Sequence, residues 1–169
     1  MRKSATITIY KSEILTSVDA QTYKRVDGVL SSESEQAKNA LSSDSTENLD
    51  KHILHEYMEH RGSTLRNRLA FCLISEDEDL SVNNLLEVEV PTFEYRLLVP
   101  DNYDRQRLQV LAKKMHNYIV QGVLYDWYAT QNMKGNVSKE ELEEMESSIV
   151  SMLRSSYVKR PLQPFGPRN

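Results

Sequence analysis

The stretch from Arg105 to Met133 restricts the fold more than any other part of the sequence. Leu108, Leu111, Met115, Tyr118, Gly122, Tyr125 and Ala129 recur at spacings of three and four, and Ile119, Val123 and Trp127 widen the apolar face. A helix of that length is about 42 Å long at ~1.5 Å per residue. A compact domain of 169 residues is itself only about 40 Å across. Whatever else the chain forms must therefore be laid along this one helix, and the fold is expected to be mainly α.

The rest of the pattern supplies shorter elements. Ala5-Thr6-Ile7-Thr8-Ile9-Tyr10 alternates and is β-branched, which predicts a short strand. Ser12 is placed to cap a helix from Glu13 to Val29, with Ile14, Leu15, Val18, Thr22 and Val26 on one face and Gly28 near its end. Residues 31–46 hold six serines and hardly a large apolar side chain, a composition that reads as a polar loop. Asp44 with Glu47 resembles a capping box, and Leu49, Ile53, Tyr57, Leu65, Leu69 and Cys72 carry the next helix to about Leu73. Gly62 inside it marks a bend or a close packing contact.

A second polar loop, residues 75–84, leads into Leu86-Glu87-Val88-Glu89-Val90, which alternates strictly. With Phe93 to Val99 beyond Pro91-Thr92 it suggests a hairpin. Asp101 or Asp104 caps the long helix, and Lys134-Gly135-Asn136 ends it. Ser138 with Glu141 forms an S-x-x-E box that opens a last helix striped by Leu142, Met145, Ile149 and Met152. So short a connection makes an antiparallel αα-hairpin. After Tyr157 the prolines Pro161, Pro164 and Pro167 forbid helix and favour extended backbone. The expected fold is α+β in the sense of a helical bundle with a long αα-hairpin, a small β element and an extended C-terminal tail. Residues 1–158 form a single domain, and residues 159–169 are the basic, Pro-rich tail.

Reactive chemistry finds little purchase. His52, Glu56 and His60 share a helical face, as do His52 and His55. His55-Glu56 and His60 are one residue too far apart for H-E-x-x-H, which turns the two imidazoles about 140° from each other. The remaining histidine, His116, does not complete a di-iron ligand set. Cys72 is the only cysteine, cannot form an internal bridge and is expected to be a buried, inert thiol. Five scattered glycines offer no phosphate-cradling loop, and Glu140-Glu141 and Glu143-Glu144 read as a solvated face suited to a helix N-terminus. The expectation is a chain without catalytic residues, metal or cofactor. With 39% hydrophobic and 27% charged residues and no long apolar run, neither a disordered nor a membrane-spanning class fits.

Charge is arranged in blocks. Residues 76–94 are strongly acidic, and from Arg154 onward Lys159, Arg160 and Arg168 meet no acid at all. Alternating blocks disfavour one broad basic face, so nucleic-acid contact through Arg61, Arg66 and Arg68 is expected to be weak. The tail is the more specific binding element: Leu162 and Phe165 can enter apolar grooves while Lys159, Arg160 and Arg168 face acids. Tyr118, Tyr125, Trp127 and Tyr128 crowd one helix, as aromatics do in a core and also at a subunit interface.

The order of these features includes Ile7 to Ser12 opening a first helix, Asp44 to Asp50 opening a second, and "YRLLVPDNY" from Tyr95 to Tyr103. It continues with Tyr118-Ile119-Val120 and Asp126-Trp127 on the long helix, a short last helix and a basic Pro-Phe tail. This resembles the small neck proteins of tailed bacteriophages, the head–tail connector or adaptor subunits between portal and tail. The resemblance implies a non-enzymatic virion subunit that forms a homo-oligomeric ring and contacts portal and tail or neck proteins. DNA would pass through only as cargo, and no membrane would be involved. The expected location is the virion, with the host cytoplasm during assembly. The strands at 86–99 leave a tail-completion protein as an alternative, and a helical binding or regulatory module with weak nucleic-acid contact is a further one.

Overall fold

A computed structural model describes residues 2–27, 49–74, 90–100, 103–131 and 137–155. Among them the chain forms strand β1 (Arg2–Tyr10), helix α1 (Lys11–Asp27), helix α2 (Leu49–Arg68), strand β2 (Thr92–Pro100), helix α3 (Arg105–Thr130) and helix α4 (Lys139–Ser155). This is the expected mainly helical fold with a small β element.

The long helix is the axis of the body. Its first turn is closed by Asp104, whose carboxylate accepts a 2.7 Å hydrogen bond from the Arg107 amide, which settles the choice between Asp101 and Asp104. From Leu111 onward α3 is enclosed: Leu111, Met115, Tyr118, Ile119, Val123 and Trp127 are all buried. Helices α1, α2 and α4 and strand β1 all pack on it. The last helix opens on the expected box. The Ser138 amide donates to Glu141 Oε2 at 2.7 Å, and the Glu141 amide donates back to Ser138 Oγ at 3.2 Å. Contacts from Lys114 to Ser148 and from Tyr118 to Glu146 run in opposite directions along the two helices, so α3 and α4 form the antiparallel hairpin. Buried Leu142, Ile149 and Leu153 face α3, with Met145 and Met152 at the margin.

The β element differs from expectation in its pairing. β2 is not the second arm of a local hairpin; it pairs antiparallel with β1, from Arg2 opposite Pro100 to Tyr10 opposite Thr92. Ile7, Ile9, Tyr95, Leu97 and Val99 turn to the core, while Thr6, Thr8, Glu94 and Arg96 face outward. The outer edge of β2 is partly covered by the chain that leaves α2, with Ile74 N donating to Arg96 O at 2.9 Å and Leu98 N to Cys72 O at 2.7 Å. That segment explains why α2 stops at Arg68 instead of Leu73: residues 69–72 turn so that Leu69 and Cys72 enter the core and Leu73 bridges to Leu97. Residues 86–89 of the expected hairpin, the Asp44–Glu47 helix start, the loops at 31–46 and 75–84 and the tail at 159–169 lie outside the described residues.

Ser12 does not cap α1, which begins directly at Lys11 where β1 ends. The Lys11 amide donates instead to Pro91 O at 3.0 Å, so the edge of the sheet satisfies the first helical N–H. The Lys11 side chain is buried, paired with Glu59 of α2 and lying over the Phe93 ring 5.0 Å from its centroid. Gly62 is a close packing contact and not a bend. A Cβ there would lie 2.5 Å from Cε1 of Phe93, and the Gly62 carbonyl accepts the buried Tyr95 hydroxyl at 3.1 Å. Replacing Gly62 by Ala should therefore destabilise the fold by up to about 2 kcal/mol, since overpacking of ~1–3 kcal/mol is offset by a helical gain of ~1 kcal/mol. Urea unfolding of the variant checks this, and a more stable Gly62→Ala would show that the ring moves aside freely.

Candidate functional site

The polar interior is concentrated where α2, α3 and α4 meet. Arg61 on α2 reaches Asp126 on α3 with both arms of its guanidinium, Nε donating to Oδ2 at 2.7 Å and Nη2 to Oδ1. Its side chain lies in a notch that exists because residue 122 is glycine: a Cβ on Gly122 would sit 2.7 Å from Arg61 Cδ. The guanidinium also lies 5.8 Å from the Tyr125 ring centroid. One turn before Arg61 on α2, Tyr57 shares a 2.6 Å hydrogen bond with Thr130. On the α4 side, the Tyr118 hydroxyl donates to Glu146 at 3.3 Å, and Arg68 pairs with the same carboxylate. This chain of charge-assisted contacts fixes the three helices in register.

The three arginines that suggested nucleic-acid contact are thus engaged within the chain. Arg61 pairs with Asp126 and Arg68 with Glu146, while Arg66 Nη2 donates to Glu94 O at 2.6 Å, 5.9 Å from the Tyr95 ring centroid. Of the aromatic candidates, Tyr118, Trp127 and Tyr128 are buried inside the chain's own core, Trp127 and Tyr128 edge to face with centroids 5.1 Å apart. Tyr125 is half-buried. His52, Glu56 and His60 are exposed, and His55 lies 4.0 Å from Glu59. No group of three His, Cys, Asp or Glu side chains among the described residues is placed to hold a metal ion. The tail residues Lys159, Arg160, Leu162, Phe165 and Arg168 lie outside the described residues. Among the described helices none is long and apolar enough to cross a membrane.

Cys72 is buried with Sγ 3.3 Å from Leu69 O, and burial pushes its thiol up to about 11. Burial raises Tyr95 as well, and it raises Tyr118 with help from the Glu146 carboxylate and against Arg61. An unfolded thiol titrates near ~8.5. Above that pH the unfolded chain gives up a proton that the folded chain keeps, so stability must fall as pH rises, until the buried thiol itself ionises near 11. The urea midpoint should decline from mildly alkaline pH upward, and Cys72→Ala should remove the first part of the decline. The buried thiol should also react with alkylating reagents only after denaturant is added.

Among the described residues a groove of about 530 Å³ lies between α3 and the first three turns of α4. Lys114 and Asn117 line it from α3, and Glu141, Glu144, Met145 and Ser148 line it from α4. The Lys114 ammonium donates to Ser148 Oγ at 2.6 Å and keeps its charge, Glu141 and Glu144 stand on the α4 side, and Val137 and Met145 add apolar surface. At the far end of α4, Arg154 lies 5.3 Å from the Phe71 ring centroid. Sequence reasoning missed both the groove and the Arg61 seat. The signal for the seat was present, since Gly122 and Asp126 are four apart and interrupt an otherwise apolar stripe. The groove left none, because its walls come from two helices and the glutamates taken alone read as solvated.

Comparison with models of known protein families, with curated proteins and with solved structures gives no match for this chain.

Proposed function

We propose that the chain is a structural virion protein, a head–tail connector subunit that joins copies of itself into a ring between portal and tail. The observation that carries this reading is the opposition of charge along α4. Glu140, Glu141, Glu143 and Glu144 are exposed at its N-terminal end, and Arg154 at its C-terminal end begins an acid-free segment with Lys159, Arg160 and Arg168. The helix is roughly 26 Å long, so the four glutamates and Arg154 stand at opposite ends of it. A head-to-tail contact needs two unlike, complementary patches on one subunit, and such contacts close into rings when the rotation permits.

The order of elements supports the same reading, with a strand, helices, the long helix, a short last helix and a basic tail matching the resemblance to neck proteins. The work is then done by surfaces and not by catalysis. Partners are further copies, the portal protein and tail or neck proteins, with DNA as cargo and no membrane. The protein belongs in the virion, and in the host cytoplasm while particles assemble.

Mass photometry across the micromolar range, with negative-stain imaging, tests the reading. The expected result is a multiple of the 19.6 kDa chain visible as an annulus, dissociating as salt rises. A chain that stays monomeric at every concentration and salt overturns the proposal.

A further inference from the structure

We infer that the groove between α3 and α4 is the docking site for the C-terminal segment, residues 156–169, of a neighbouring copy of the chain. This rests on the ring reading and names the contact that would close it.

Two features of the segment match the groove, and a third lowers the cost of docking. The first is charge: Lys159, Arg160 and Arg168 come without any acid, and the groove carries Glu144 and Glu141, the latter also accepting the Ser138 amide, with Glu140 beside them and Glu143 paired with Lys139. Its lysine, Lys114, donates to the neutral Ser148 hydroxyl and keeps its charge, so the two carboxylates leave the lining net negative. The second is shape. Pro161, Pro164 and Pro167 favour the left-handed extended helix of three residues per turn, which puts Lys159, Leu162, Phe165 and Arg168 in one row. That row reads basic, apolar, apolar, basic, with Leu162 and Phe165 about 9 Å apart at ~3.1 Å per residue. On the facing side, the apolar floor from Val137 to Met145 is flanked by acids. The third is entropy, since a segment already restricted by three prolines loses less freedom on docking than a flexible one.

The occupant comes from a neighbour because of where the segment starts. α4 ends at Ser155, and the groove lies along the opposite half of that helix. To fill its own groove the chain would have to reverse at once. Beyond Ser155-Ser156 the run Tyr157-Val158-Lys159-Arg160 holds no further residue that favours a tight turn, and Arg160 is biased to extended backbone by the proline that follows it. A segment from a neighbouring copy meets no such requirement.

A charge exchange in the full-length chain tests the assignment. Asn117 and Glu144 line the groove, are exposed and lie outside the helix cap, so Asn117→Lys with Glu144→Lys makes the groove basic without disturbing Glu141. A second variant carries Lys159→Glu, Arg160→Glu and Arg168→Glu. Circular dichroism and melting should match the unsubstituted chain for both. Each variant alone should need about tenfold or more higher concentration to assemble. Mixed in equal amounts, each groove meets a tail of opposite charge, and assembly should return to the original concentration range. The inference is overturned if both variants assemble like the unsubstituted chain. It is equally overturned if the mixture stays dissociated while the unsubstituted chain assembles. In both cases the ring reading stands and the tail docks elsewhere. If the unsubstituted chain itself never assembles, the ring reading fails and this contact fails with it.

Discussion

Asp126→Ala should lower the free energy of unfolding by about 3 kcal/mol, the low end of the cost of removing one partner from a buried ion pair. The low end applies because Arg61 and Asp126 keep 14% and 19% of their side-chain surface exposed. The cost arises from the arginine left behind. Its aliphatic stem is wedged against Gly122 and its head lies beside the Tyr125 ring, so the cation is left largely covered and without its carboxylate. Arg61→Met combined with Asp126→Leu removes both charges and should recover most of the loss, because a well-packed apolar pair often equals a buried ionic one. Urea unfolding of the two single variants and the pair gives the coupling directly. A loss under about 1 kcal/mol for Asp126→Ala would place the contact with exposed salt bridges and remove its role in setting helix register.

Trp127→Ala should cost more, about 3–5 kcal/mol, the range for deleting a large buried aromatic. Trp127 is buried on the face of α3 and meets Tyr128 edge to face, an arrangement worth a further ~0.5–1.5 kcal/mol. Total stability of a domain is only about 5–15 kcal/mol, so the variant should melt far lower or fail to accumulate. Trp127→Phe keeps most of the volume and should lose less than half as much. Thermal melts followed in the far ultraviolet distinguish this from a ring lying at a subunit interface. An interfacial Trp127 would leave the isolated chain's melting unchanged and weaken only its association.

Features decided by neighbouring residues were legible in the sequence. The long helix, its Asp104 cap and the Ser138–Glu141 box depend on side chains three or four apart, and the structure has them where the pattern put them. What the pattern left open was decided across the chain. β2 was recognisable as extended, but the alternating residues just before it suggested a local partner, whereas the structure pairs it with β1. The α1 start was displaced for the same reason, because a carbonyl from Pro91 took the task expected of Ser12. Arg61 looked like a surface cation as long as its partner at position 126 and the glycine notch at 122 were unknown. The acids of the groove were legible as a charged helix face, and only the packing of α3 against α4 turns that face into a concavity.

The pairing of β1 with β2 also sets an order of events at the ribosome. Every residue of the first strand waits for a partner near the hundredth position, from Tyr10 with Thr92 to Arg2 with Pro100. At about 5–20 residues per second this is a delay of roughly 5–20 s during synthesis. The core-facing row of Ile7 and Ile9 has no sheet to join in that interval. Docking of the first strand is thereby a late step that depends on a long loop closing, and such steps are slow. Trigger-type chaperones that hold nascent apolar strands should raise the yield of this protein, and a fusion placed before Arg2 should interfere more than one placed elsewhere on the surface.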